Sequence, residues 1–365
     1  MRVAIVHDWL VSWRGGEKVL EAIATIYPDA EIFTLFCDLS TLPDSLRHRK
    51  ITVHTVANRL KFMRKLLLPW MPVWIEEFNL SGFDLVISTS SCVAKGVIVD
   101  PDAKHLCYMH SPMRYIWDQR EEYFGFVRKI PVLNLLVNKM TSLLRIWDMA
   151  SSSRVDLFVA NSTFVKQRIK KYYGRRALVI PPPVEVERFL NANSSSRSDY
   201  FLAAGAFVSY KRFDLAIAAC EKLGRKLIVA GQGPALKQLK RLAGPNTQII
   251  DAPDDATWNR IFANAKGFIF PGVEDFGITA IEAMASGVPV IARKRGGALD
   301  FVVENQTGVF FEHATVDSLC DAITRFDAMN WDASTLRKQA ERFSRDNFLT
   351  NLRVALHELV HANMD

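Results

Sequence analysis

The sequence predicts an α/β protein built from two doubly wound parallel-sheet domains. Three observations carry this reading. Short apolar runs alternate with longer helical patterns along the chain, as expected for parallel strands covered by helices on both faces. The chain has 365 residues, too many for one small core and suited to two domains of about 150–200 residues each. A polar stretch near the middle, LNANSSSRSD at 190–199, has the composition of a linker.

In chain order, Val3–Val6, Leu85–Ser88, Leu106–Met109, Leu157–Ala160 and Leu178–Ile180 read as strands of the first domain. Phe201–Gly205, Leu227–Gly231, Gln248–Ile250, Phe268–Phe270 and Val290–Ala292 read as strands of the second. Phe348–Ala362 carries Phe348, Leu352, Leu356, Leu359 and Val360 at helical spacing and predicts an amphipathic terminal helix. The expected division is therefore a first domain at 1–189, a linker at 190–199, a second domain at 200–345 and a terminal helix at 346–365. Open parallel sheets bind ligands beyond the carboxyl ends of their strands.

Hydrophobic residues make up 49% of the chain and charged residues 23%, ordinary for a globular protein. No uninterrupted apolar run reaches the length of a membrane span. MRVAIVHDWL opens at once on a strand pattern, with none of the regions of a secretory leader, so a cytoplasmic location is expected. Cys37, Cys92, Cys107, Cys220 and Cys320 are scattered without CxxC spacing and read as reduced core residues, not metal ligands. The net charge of +7 is unevenly placed: residues 1–190 hold 26 Lys+Arg against 19 Asp+Glu, and the remainder 20 against 20. A basic first half suits an anionic partner. No aromatic-basic RNA motif or recognition helix appears, so nucleic acid is not an expected partner.

The densest chemistry lies at Phe270–Gly297, FPGVEDFGITAIEAMASGVPVIARKRGG. Gly277 stands where an apolar run becomes a helix. A helix start presents unpaired backbone N–H groups and positive potential, which suit a phosphate. Glu282, expected about two turns into the helix, can reach hydroxyls on the same ligand, and Glu274, before the helix, its other end. Together they outline a nucleotide-sugar site.

Other candidates lie after strands. Arg14, Gly15, Gly16 and Glu17 follow the first strand, where glycines let backbone approach a ligand. A plain turn explains two glycines equally well. His110 ends the strand HLCYMH, a position suited to a ligand, although a lone histidine at a strand end is more often structural. Arg114 and Asp118 follow and suit the ordering of that loop. Lys211 and Arg212 follow FLAAGAF, where a surface lysine is the plain alternative. Gly231–Pro234 reads as a turn, and Asp100-Pro-Asp102 as a turn and not a metal motif. Two stretches, 59–74 and 127–147, mix cations with leucine and tryptophan. They suit either a lipid surface or a buried helix.

The segment EDFGI, with EAMASGVPVIA and RGGALD, resembles the E-x7-E motif of the retaining GT-B glycosyltransferases of family 4. The variant is similar to bacterial mannosyltransferases of O-antigen and exopolysaccharide assembly. HDWLVSWRGGEKVL, YMHSPMRYIWD at 108–118, VANSTFVKQRI at 159–169, PPPVEVERF at 181–189 and GAFVSYKRFDLAI at 205–217 continue the resemblance in the family's order. It implies two Rossmann-like domains facing a central cleft and a terminal helix that returns to the first domain. It implies Glu274 on the donor sugar, Glu282 on the ribose, and Gly277 with Ile278 on the phosphates. His110 would hydrogen-bond the transferred sugar or hold the reaction geometry, and Glu274 and His110 are the candidate catalytic residues. Gly15, Gly16, Lys211 and Arg212 join the donor site, with Arg14 and Arg114 as diphosphate or acceptor contacts. The family's signature has an arginine after the glycine at 205, and here Ala206 stands in its place, so Lys211 and helix ends must carry more of the neutralisation.

The resemblance further implies hexose transfer with retention, most simply mannose from GDP-mannose, to a polyprenyl-diphosphate-linked oligosaccharide. It implies front-face displacement, no metal or other cofactor, and a peripheral position on the inner face of the plasma membrane. A UDP-sugar donor, a nucleotide-sugar epimerase of the same architecture and a non-enzymatic nucleotide-sugar binder are the alternatives.

Overall fold

A computed structural model describes residues 1–64, 66–190 and 197–361. Lys65, most of the linker expected at 190–199 and the last four residues of the terminal helix expected at 346–365 lie outside the described residues.

The first unit is built on seven parallel strands: β1 (Val3–Leu10), β2 (Glu31–Cys37), β3 (Ile51–Val53), β4 (Leu85–Ser90), β5 (Lys104–Met109), β6 (Leu157–Ala160) and β7 (Ala177–Val179). Their order is β3-β2-β1-β4-β5-β6-β7. The second unit has six: β8 (Phe201–Ala204), β9 (Leu227–Gly231), β10 (Thr247–Asp251), β11 (Gly267–Phe270), β12 (Val290–Arg293) and β13 (Gly308–Phe311), in the order β10-β9-β8-β11-β12-β13. Both sheets are parallel throughout and buried on both faces, which is why their central strands read as continuous apolar runs. The strand order reverses direction between β1 and β4 in one sheet and between β8 and β11 in the other. Loops leaving the sheet on either side of such a point separate and open a crevice at the carboxyl ends of the strands.

The first unit comprises Met1–Pro183 and Phe348–Asp365, and the second Val184–Asn347. The chain therefore enters the second unit ahead of the polar segment 190–199. The reason is packing: Val184, Val186 and Phe189 are buried in the second core with Phe262, Ala280 and Met284, and Val184 N–H donates to Phe343 O at 2.9 Å. Helix Arg345–His361 buries Phe348, Leu352, Ala355 and Leu356 in the first core with Ile5, Ile87 and Tyr108. All five cysteines are buried and unbridged.

The ten runs predicted as strands form strands. The strands β2, β3 and β13 are additional to them.

Candidate functional site

In the second unit Lys211, Arg212, Glu274 and Gly277 lie on the segments leaving β8 and β11, the two strands that flank the switch point, and Ile278 and Glu282 on the helix that follows. Lys211 Nζ donates to Glu274 Oε1 at 2.7 Å, and the side chains are only 9% and 16% exposed. Gly205 makes room for this pair. It sits at φ +136°, and a Cβ there would lie 2.8 Å from Lys211 Nζ. The second glycine turn, Gly231–Pro234, braces the same loop from β9, with Phe207 N–H donating to Gln232 O at 2.8 Å. Arg212, at φ +55°, starts helix Phe213–Leu223 and grips the Asp214 carboxylate through Nε and Nη2, both at 3.0 Å.

Gly277, at φ +122°, precedes helix Ile278–Ala285. Glu282 is four residues past Ile278, so it stands a little over one turn into the helix and not the two expected. Trp258 Nε1 donates to its Oε2 at 3.3 Å. The hydroxyl of Thr279, on the first turn, is buried without a hydrogen-bond partner. Sequence reasoning missed Thr279, because a hydroxyl inside an apolar helix carries no motif.

In the first unit, Gly15 and Gly16 open helix Gly15–Ile26, with Arg14 as the preceding residue. Glu17 fastens this loop by accepting from Arg14 N–H at 3.0 Å and from Ser12 Oγ at 3.3 Å. The loop lies against His110: a Cβ on Gly16 would be 3.6 Å from His110 Nε2. The His7 and His110 rings stand nearly perpendicular, with centroids 6.5 Å apart. His110 Nε2 is buried with no hydrogen-bond partner. Burial first, then His7 and Arg114, push the His110 imidazole down to about 3, so it is neutral at ordinary pH. A neutral ring with a vacant nitrogen can donate or accept a hydrogen bond, and at that value it is a weak proton acceptor.

Arg114 and Asp118 belong to one network. Arg114 Nε lies 3.4 Å from Ser111 Oγ, and Arg168 donates to Ser111 Oγ and to the Asp118 carboxylate, both at 2.7 Å. Asn161 Nδ2 donates to His110 O at 2.9 Å. The buried Asp8 carboxylate accepts the backbone N–H groups of Ser91, Cys92, Val93 and Ala94, at 2.6–2.9 Å, and so shapes the turn after β4. Sequence reasoning assigned no role to Arg168, Asn161 or Asp8. The available signal was an acid at the end of an apolar strand. Asp100 is part of a turn, its carboxylate accepting from Gly82 N–H at 2.8 Å.

The two cation-rich stretches differ in burial. Helix Pro131–Ser151 buries Thr141, Leu144, Asp148 and Ser151 and exposes Val132, Leu135, Leu136, Leu143, Ile146 and Met149. Its inward face is held by Lys95, fully buried, whose Nζ lies 2.9 Å from Asp148 Oδ1 and donates to Ser151 Oγ at 2.6 Å. Trp117 Nε1 and Tyr173 OH donate to Asp148 Oδ2 at 2.7 and 2.8 Å. In 59–74, Leu67, Leu68 and Met71 are buried, whereas Phe62, Leu66 and Trp70 are exposed. Among the described residues no helix is long and apolar enough to cross a membrane.

The pH dependence of stability follows from two histidines. Burial pushes His105 down to about 4 and His110 to about 3, from an ordinary value of 6.5. Unfolding frees both to bind protons below about 6.5, so their contribution is complete above that value and is lost as pH falls toward the folded values. The melting temperature should therefore drop between about pH 7 and pH 4, and His110→Gln should make the drop shallower. Parallel profiles for parent and variant would remove His110 from this account.

Two α/β units, each with its candidate residues at the carboxyl ends of strands beside a switch point, define the GT-B class of fold. Residues 187–345 match the family described as Glycosyl transferases group 1. That match covers 159 of the 365 residues, less than half of the chain. The GDP-mannose-dependent alpha-(1-6)-phosphatidylinositol monomannoside mannosyltransferase of Mycobacterium tuberculosis (strain CDC 1551 / Oshkosh) is 28% identical over 201 residues, which cover 46% of this chain and 51% of that one. The Alpha-1,3/1,6-mannosyltransferase ALG2 of Kluyveromyces lactis is 24% identical over 378 residues, covering 84% of this chain and 72% of that one. The chain spans about half the length of the first curated relatives it matches, 51% in each case. Among solved structures, Anabaena Alr3699/HepE in complex with UDP superposes with a TM-score of 0.70 at 16% identity, over 98% of this chain and all of the other.

Proposed function

We propose that this chain is a retaining hexosyltransferase that takes mannose from GDP-mannose and adds it to a polyprenyl-diphosphate-linked oligosaccharide in cell-surface polysaccharide assembly. The observation that carries the reading is the Lys211–Glu274 pair beside the switch point, directly ahead of the Gly277 helix start. In this reading the ammonium and the backbone N–H groups of the helix start meet the diphosphate, and the carboxylate meets the sugar. The mannosyltransferase names of two relatives favour mannose. In the reaction, the bond from the sugar's anomeric carbon to the diphosphate breaks and a bond to the acceptor oxygen forms on the same face. The acceptor hydroxyl's proton passes to the departing diphosphate oxygen. No covalent nucleophile is needed, so the protein orients both substrates and stabilises the leaving charge.

The second reading, a UDP-sugar donor, is favoured by a structural neighbour that holds UDP. A thermal-shift panel of GDP, UDP, ADP and dTDP sugars separates the two, because stabilisation follows the ligand bound. Release of free nucleoside diphosphate on adding a polyprenyl-linked acceptor then separates transfer from mere binding. A donor that binds but is never consumed in the presence of acceptor would leave a binding protein.

The acceptor's lipid gives the exposed apolar side chains of 131–151 a partner, and the exposed Lys129 and Lys139 suit anionic headgroups. Binding to anionic liposomes should exceed binding to neutral ones and weaken as salt rises. Changing Lys129 and Lys139 to Glu should reduce it more than changing the exposed Lys237 and Lys240 of the second unit. Equal losses from the two pairs would show that the basic half is not the membrane face.

A further inference from the structure

The end of β12 and the loop that leaves it carry two arginines, Arg293 and Arg295, for which the described residues provide no ion pair. β12 neighbours β11, so this loop runs beside the segment 272–277. The approach is close. A Cβ on Gly296 would lie 2.6 Å from Glu274 O, one on Gly297 would lie 2.3 Å from Phe276 O, and Gly297 N–H donates to Glu274 O at 2.9 Å. Arg293 and Arg295 are therefore fastened to the loop that bears Glu274. Arg293 Nε is buried without a hydrogen-bond partner, and Arg295 is exposed. Burial first, then Arg295 and Arg212, hold the Arg293 guanidinium below its usual range.

A charge count shows what is missing. A nucleoside diphosphate brings more than one negative charge. The Lys211 ammonium already faces Glu274, and Arg212 already faces Asp214. Each of those pairs sums to zero, and Asp275 next to Glu274 is a further buried carboxylate. Arg293 and Arg295 add two positive charges, one more than the Asp275 carboxylate offsets, and holding that excess is costly in the absence of an anion.

We propose that Arg293 and Arg295, with Arg212, form the anion-binding cluster that meets the donor's diphosphate and supplies the positive charge that Ala206 does not. The buried Arg293 Nε gives the cluster a directed donor, and the exposed Arg295 lets it close on a ligand. This rests on the nucleotide-sugar reading and adds to it two residues of the Phe270–Gly297 segment that were not among those first assigned to the donor.

The test is calorimetric titration of the full chain with GDP, UDP and inorganic pyrophosphate, for the parent, for the Arg293→Gln/Arg295→Gln double variant and for Glu282→Ala. Losing a charge-assisted hydrogen bond weakens binding by about tenfold per residue. The double variant should lose affinity for all three probes, by about a hundredfold if both arginines engage. Glu282→Ala should lose affinity for GDP or UDP and keep it for pyrophosphate. A double variant that binds all three like the parent overturns the cluster alone. So does one that loses the nucleotides and keeps pyrophosphate. A parent that binds neither GDP nor UDP overturns the nucleotide-sugar reading, and the cluster with it. If the double variant fails to melt cooperatively, Arg295→Gln and Arg293→Lys are measured instead. Unchanged pyrophosphate affinity in Arg295→Gln then overturns the proposal.

Discussion

Replacing Lys211 with alanine is expected to lower sugar transfer by about two to three powers of ten, the scale of losing one charge-stabilising donor. The ammonium stands 2.7 Å from the Glu274 carboxylate, and both side chains are mostly buried. Alanine therefore removes a cation and also leaves the Glu274 carboxylate uncompensated, which on the proposed function raises the barrier to diphosphate departure. The two effects have the same sign, and Glu274 is itself assigned to the donor sugar, so Glu274→Gln should cost less in the Lys211→Ala background than in the parent. The combined effect should then fall short of the sum of the single ones. Initial rates with saturating acceptor for the four proteins measure this. A Lys211→Ala enzyme with parental activity would show that another cation holds the phosphates. Ala206→Arg should strengthen nucleoside-diphosphate binding in the parent.

His110→Ala is expected to reduce turnover by about a hundredfold while changing nucleoside-diphosphate affinity little, the pattern of an interaction made mainly in the transition state. His110 follows a strand of the first unit, whereas Lys211, Glu274 and Glu282 belong to the second. Its free Nε2, next to Gly16, is suited to a hydroxyl and not to a phosphate, which favours cations. Glu282→Ala should show the reverse balance, with donor affinity falling more than turnover. Turnover numbers and donor dissociation constants for both variants decide the matter. A His110→Ala defect confined to GDP binding, or no defect at all, would make the histidine structural.

The strands that were legible in the sequence are the short apolar runs bounded by polar residues, such as Phe268–Phe270 and Val290–Ala292. β2 was not, because EIFTLFC is as compatible with a buried helix segment as with a strand. β3 is three half-buried residues at a sheet edge without a buried apolar run, whereas β13, GVFF, is as short and as apolar as strands that were read and was passed over. The second unit begins at Val184, ahead of the polar segment, because polar composition reports solvent exposure, whereas Val184, Val186 and Phe189 report which core a segment joins. At the site, Lys211 and Glu274 were each readable from their motifs. Their pairing spans 63 positions and depends on β8 and β11 being neighbours, which no local pattern states. Arg293, Asp8 and Thr279 are single polar residues in apolar surroundings, and their burial and partners exist only in the folded chain.

Helix Pro131–Ser151 is turned inside out relative to an ordinary surface helix: its Asp148 meets the buried Lys95 of a neighbouring segment within, and most of its aliphatic side chains point outward. A purified preparation should accordingly behave as a mild surfactant, concentrating at air–water interfaces and forming clusters whose size depends on detergent. Rate measurements made without detergent would then average over monomers and clusters with different access to substrate, and a lag that shortens on adding micelles would be the visible sign.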